Sequence, residues 1–185
     1  MIGLYAICIF YGVLRGKLIF QQLPHDVLIY GRISGLEPGY HGMHVHQIGN
    51  LSGNCQGAGP HFNPFDKVHG APSSPFRHVG DLGNAFTSGD DFIVGNVFLA
   101  NRIPRNGITR VGITKITKWD SLISLLDNER NIMGRALVVH ALRDDLGLGG
   151  NEESLRTGNS GGRVDCCIIE PYYPPERVSY LNRNG

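Results

Sequence analysis

Residues 42–49 read GMHVHQIG and set His44 and His46 on either side of Val45. On an extended strand, side chains two positions apart project to the same face, so the two imidazoles stand side by side. Tethered in this way, both reach a single metal ion. In isolation an H-x-H pair is more often two surface histidines, so the reading turns on its surroundings. Downstream, residues 59–83 (GPHFNPFDKVHGAPSSPFRHVGDLG) carry His61, His69, His78 and Asp81, spaced eight, nine and three residues apart. The segment has little capacity to form core. Imidazole and carboxylate are both zinc donors, and a structural zinc site wants four of them in a tetrahedron. His140 ends the apolar run 135–140 (RALVVH). Alone it reads as a hydrogen-bonded histidine at a strand end; beside the others it is a further candidate ligand. Six histidines and one aspartate give seven donor residues. Two four-coordinate sites need eight, and the count closes if one histidine serves both. Imidazole suits copper and zinc alike, and the carboxylate leans toward zinc. Arg163, in 158–166 (GNSGGRVDC), is an ordinary solvated arginine by itself and a small-anion binder beside a metal cleft.

Around these residues the chain is a series of short strand-like runs. They are 4–10 (LYAICIF), 16–21 (GKLIFQ), 26–33 (DVLIYGRI), 92–99 (FIVGNVFL), 108–117 (ITRVGITKIT), 135–140 and 166–170 (CCIIE). No long run has helical period and caps, and Gly- and Pro-rich turns separate the strands. The pattern predicts an all-β sandwich or barrel. Two stretches break the rhythm, 47–84 and 141–163. Loops of this length in a compact domain are functional or disordered, and both hold His or charge clusters. The tail 171–185 (PYYPPERVSYLNRNG) predicts an irregular extension after a domain spanning 1–170.

Composition bounds the function classes. A net charge of +1 over 185 residues gives no whole-chain argument for nucleic acid or membrane, so any electrostatic role rests on local charge placement. No apolar run is long enough to cross a bilayer as a helix. The apolar start MIGLYAICIFYGVL lacks a basic leader and a cleavage motif and reads as a strand. Cys8, Cys55, Cys166 and Cys167 are too few for a disulfide scaffold, and on composition alone they predict a reduced, cytoplasmic chain.

The segments GMHVHQIG, CQGAGPHFNP, RHVGDLGN, GRALVVHALRDDLGLGGNEES and TGNSGGRVDC occur in the order and near-constant spacing of the copper–zinc superoxide dismutases, and the chain resembles that family. The resemblance implies an eight-stranded Greek-key β-barrel or sandwich with a long metal-binding loop and an electrostatic loop. It implies one copper held by His44, His46, His61 and His140, and one zinc held by His61, His69, His78 and Asp81. His61 would be the bridging imidazolate. The activity implied is conversion of two superoxide anions and two protons to oxygen and hydrogen peroxide by Cu(II)/Cu(I) cycling. His61 would take up and deliver a proton while Arg163 docks the anion. Asp144 resembles the carboxylate linking His46 to His69. Cys55 and Cys166 resemble the intrasubunit disulfide. Glu152, Glu153, Arg156 and Thr157 occupy the electrostatic-loop positions. A copper chaperone as loading partner and a homodimer are implied as well.

Four departures stand out. The region between Asn84 and Arg135 carries an atypical insertion at about 91–119, mainly in DFIVGNVFLANRIPR and part of TKITKW. It reads as an added hairpin arm or as retained intron sequence. Where the family's last strand makes dimer contacts, this chain has Ile168, Glu170 and then Pro171, and proline cannot donate to a ladder, which opposes the usual dimer. Leu142 stands where the family often has lysine, which removes one guiding charge, and Cys167 stands beside Cys166 as a rival disulfide partner, disfavoured because neighbours on a strand face oppositely. The competing expectation is a non-catalytic metal-binding dismutase-like domain, chaperone-like or an inactive paralogue; the presence of His140 and Arg163 argues against it.

Overall fold

The computed structural model describes residues 3–89, 92–95 and 109–174. The strands are β1 (Tyr5–Phe10), β2 (Arg15–Gln22), β3 (Val27–Ser34), β4 (Gly39–His46), β5 (Asp81–Thr87), β6 (Phe92–Gly95), β7 (Thr109–Asp120), β8 (Ala136–His140), β9 (Arg163–Ile168) and β10 (Glu170–Tyr172). They form two antiparallel sheets, ordered β10-β1-β2-β3-β7-β6 and β5-β4-β8-β9. The chain leaves the first sheet after β3 and returns to pair β7 with β3, which is the crossover of a Greek key. Without β6 and β10, the remaining strands are the eight of the expected fold. The two sheets keep separate hydrogen-bonded ladders, so the arrangement is a sandwich and not a closed barrel.

Alternation places the core. Ala6, Cys8 and Phe10 of β1, Leu18 and Phe20 of β2, and Val27, Ile29 and Ile33 of β3 face inward and meet Met43, Val45, Leu82, Leu137 and Val139 of the second sheet. β8 is buried on both faces, which explains the unbroken apolar run RALVVH. β4 is covered on both faces from His41 to His46: Met43 and Val45 enter the core, while His44 and His46 lie under the long loops. The register of β4 on β5 shifts between Gly42 and His44, which brings His44 opposite Asp81.

Two expectations change at this level, the irregular tail and the helix-free 141–163 loop, and two strand-like runs are met. Glu170, Pro171 and Tyr172 are not irregular: they pair with Ile7, Ala6 and Tyr5 as β10. Pro171 is tolerated because β10 is an edge strand. Of the expected insertion, Thr109–Asp120 is a regular strand, with Val27 opposite Asp120 and Ser34 opposite Ile113. β6 pairs with β7 from Phe92↔Gly112 to Gly95↔Thr109, as in a hairpin arm, and residues 96–108 lie outside the described residues. The loop 141–163 contains a short helix, α1 (Glu152–Thr157). Asn151 caps it by accepting from Ser154 N–H, and Gly158 follows it with φ 69°.

The cysteines are not reduced. Cys55 bonds Cys166 and Cys8 bonds Cys167, across Cα separations of 6.0 and 5.5 Å. Because Cys166 and Cys167 face opposite sides of β9, they do not compete. Cys166 holds the long loop outside, and Cys167 reaches β1 through the core.

Candidate metal centre

The rigid sandwich presents its histidines on one buried face. His44 and His46 come from β4, His140 from the end of β8, and His61, His69 and His78 from the loop that ends at Asp81 on β5. His46 and His61 are joined by an antiparallel bridge, so the loop begins as an extension of the strand. His44, His46, His69, His78, Asp81 and His140 are all at most 6% exposed, and His61 is 5% exposed. Two groups of donors converge: His44, His46, His61 and His140, and His61, His69, His78 and Asp81. His61 belongs to both.

His44, His46 and His140 are each fixed through one ring nitrogen. His46 Nδ1 donates to the Gly59 carbonyl at 2.7 Å, and His140 Nδ1 to the Gly161 carbonyl at 3.1 Å. His44 Nε2 donates to Asp144 Oδ2 at 2.9 Å. The inner nitrogens then face one another, with His46 Nε2 and His140 Nε2 3.4 Å apart. In the second group Asp81 Oδ1 lies 2.9 Å from His61 Nδ1, 3.0 Å from His69 Nδ1 and 3.1 Å from His78 Nδ1. Asp81 Oδ2 faces away and accepts from Gly70 N–H and His78 N–H.

The residues fit a metal pair. His44 Nδ1 and His61 Nε2 are buried ring nitrogens with no hydrogen-bond partner, an expensive arrangement unless an ion takes the lone pair. Zinc–nitrogen bonds near 2.0 Å in a tetrahedron set donors about 3.3 Å apart, close to the contacts around Asp81 Oδ1. The third convergence, His44, His69 and Asp144, is not a site of this kind, because both its contacts are direct hydrogen bonds.

Charge states follow from surroundings. Burial, then the neighbouring His61, pushes His46 down to about 2, and burial holds His140 down to about 4. Burial also holds His44 well below its ordinary range. Neutral imidazoles are what a metal needs. His69 is the exception. Burial opposes its protonation, yet hydrogen bonds to Asp144 and Asp81 raise it to about 9. Asp81 is held well below the carboxylate range: burial works against this, and bonds from His61, His69 and His78 outweigh it.

Asp144 spans the two donor groups, through His44 at 2.9 Å and His69 at 2.8 Å. The resemblance had assigned its copper-side partner to His46; the partner is His44, because the Gly59 carbonyl already takes His46 Nδ1. Asn84 was not singled out from the sequence. Its amide donates to the Asp144 carbonyl and accepts from Asp144 N–H, both at 2.8 Å, locking the 141–163 loop to β5.

A cavity of about 610 Å³ opens onto this face, lined by His46, His61, His140, Arg156, Thr157 and Arg163 among others. Arg163 Nη2 donates to the Gly59 carbonyl at 2.5 Å and Nη1 to the Cys55 carbonyl. The loop that orients it is therefore the one held by the Cys55–Cys166 bond. Glu153 lines the same cavity and pairs with Arg156, and Thr157 Oγ1 donates to Glu153 Oε1 at 2.6 Å. Glu152 belongs to α1 without lining the cavity.

The sequence profile of Copper/zinc superoxide dismutase (SODC) matches residues 14–111 and 103–169. An extracellular superoxide dismutase [Cu-Zn] of Brugia pahangi is 44% identical over 161 residues, 85% of this chain and 70% of its own. Superoxide dismutase [Cu-Zn] A of Xenopus laevis is 41% identical over 167 residues, 89% of this chain and 95% of its own. The crystal structure of the clock protein EA4 superposes with a TM-score of 0.75 at 37% identity, covering 93% of this chain and 97% of that one. With this profile, these relatives and two histidine clusters on a Greek-key sandwich, the chain belongs to the copper/zinc superoxide dismutase family.

Proposed function

We propose that the chain is a superoxide dismutase that converts two superoxide anions and two protons to oxygen and hydrogen peroxide. The observation that carries the reading is His61, whose two ring nitrogens face different donor groups beneath a cavity that Arg163 lines. His44, His46, His61 and His140 would hold copper, which supplies a one-electron couple, and His61, His69, His78 and Asp81 would hold zinc, which supplies a fixed positive charge.

The chain's own residues do the rest. Arg163 binds the anion through its planar donor fork, held in place by two backbone carbonyls. His61 Nε2, buried and without a protein partner, would carry a proton only when it is not a metal ligand, and would then give it to the reduced substrate, a general-acid role. Asp81 beside Nδ1 sets the ring's orientation and basicity. Arg156 and Thr157 narrow the approach, and the Glu153 pairing moderates the positive charge there.

The compartment is part of this reading. Both disulfides and an extracellular relative support maturation under oxidising conditions in preference to the cytoplasm expected from cysteine composition. The decisive variant is Arg163→Ala in the fully metallated protein. Pulse-radiolysis rates should fall about tenfold or more, with both metals retained, as for loss of one charge-assisted contact. An unchanged rate would remove Arg163 from substrate binding.

A further inference from the structure

On β7, Thr114, Ile116 and Asp120 are buried, so alternation also turns the intervening Lys118 inward. Its side chain is half-buried in the seam between the sheets. It lines a cavity of about 120 Å³ with Ile29, Pro72, Leu82, Trp119 and Asp120. A water molecule's share of liquid volume is about 30 Å³, so the space admits a ligand of roughly four non-hydrogen atoms.

An inward lysine ordinarily needs a carboxylate. The two whose charge reaches Lys118 are Asp120 and Asp144, and both are engaged elsewhere. Asp120 Oδ2 pairs with Arg77 at 2.6 Å, and its Oδ1 accepts from the N–H groups of Leu122 and Ile123 at 2.9 and 3.0 Å. Asp144 is held by His44 and His69. Among the described residues no hydrogen bond or ion pair fixes the Lys118 amine. Burial lowers its pKa against the opposing pull of Asp120 and Asp144, which raises the fraction of neutral, nucleophilic amine.

We propose that Lys118 is a covalent modification site for short aldehydes, admitted by the small cavity that it lines with Ile29, Pro72, Leu82, Trp119 and Asp120. The amine lone pair adds to the carbonyl carbon, the carbonyl oxygen leaves as water, and a carbon–nitrogen double bond forms with no change of oxidation state. The site is separate from the metal centre and does not rest on the proposed activity.

The test treats the metallated protein with propanal and cyanoborohydride at neutral pH and follows labelling of Lys17, Lys67, Lys115 and Lys118 by peptide mass mapping. Lys118 should label several-fold faster than Lys17 and Lys67, because burial leaves more of its amine neutral. A naphthaldehyde, too large for the cavity, should reverse the order. Lys118→Arg should abolish the fast propanal phase and leave dismutase activity intact. Labelling of Lys118 no faster than Lys17, no discrimination between the two aldehydes, or a fast phase that survives Lys118→Arg would each overturn the assignment.

Discussion

His61 has no spare nitrogen: Nδ1 faces Asp81 and His78, and Nε2 faces the other donor group. That placement depends on Asp144, which restrains His44 and His69 from behind. Asp144→Ala should weaken affinity for both metals by about 10–100-fold in chelator competition, the usual effect of losing an outer carboxylate. Equal affinity in the variant would show that the rings are positioned without it. Gly158 is under similar constraint, since a Cβ there would sit 2.0 Å from Asp144 Oδ1 and 2.4 Å from His69 Nε2. Gly158→Ala should therefore displace the Asp144 carboxylate and lower zinc affinity by roughly the same 10–100-fold. The seven residues that converge in the two donor groups were all singled out in the sequence, His61, His69, His78 and Asp81 by their loop spacing and the others by their company. The carbonyls of Gly59 and Gly161 were not, because a backbone acceptor has no side-chain signature. Asn84 was hidden for another reason: its partner is the backbone of a residue 60 positions away.

Among the elements, β9 carries the most. Its adjacent cysteines staple the strand outward to the loop at Cys55 and inward to β1 at Cys8. The family resemblance names the Cys55–Cys166 pair, but Cys8–Cys167 is not legible in the sequence, since pairing depends on which face of β9 each thiol takes. Replacing Cys8 and Cys167 together by alanine opens a link between residues 159 positions apart. On the chain-entropy scale this costs about 4–5 kcal/mol, measurable in guanidinium unfolding, with turnover unchanged. Loss of turnover would tie that bond to the active face. The long loop has its own anchor: Arg77, 2% exposed, pairs with Asp120 of β7. Arg77→Met should cost about 3–5 kcal/mol, because Asp120 would be left buried without its cation. The loop around α1 is braced by Asp145, which accepts from Ser154, Asn159 and Gly147 N–H. Burial raises the Asp145 pKa, and these bonds outweigh it, so the folded value is lowered. A lowered folded pKa stabilises above the unfolded value, about 4, and that stability is lost as pH falls through the folded pKa. Asp145→Asn should remove this part of the acid dependence in hydrogen exchange of α1.

At the scale of the whole molecule, a chain of net charge +1 attracts an anion only through local fields. Arg156 and Arg163 supply positive charge at the cavity, Glu153 offsets part of it, and Leu142 is exposed without charge. The rate constant should fall with ionic strength, and Arg156→Glu should lower it further and flatten or invert the dependence. A rate independent of salt in the unmodified chain would refute steering. The fold class was legible from strand alternation. Of the sandwich's added edges, β6 falls in the strand-like run 92–99, but β10 was not legible, because it is recruited by tertiary pairing with β1 and carries Pro171 in place of strong local strand character. The central claim is that these donors hold a copper and a zinc ion that turn over superoxide. Its direct measurement is superoxide decay catalysed by the purified chain, with copper and zinc counted in the same sample. Catalysis that cyanide abolishes, with both metals bound in equal amount, is the predicted result; both metals bound without catalysis would contradict it.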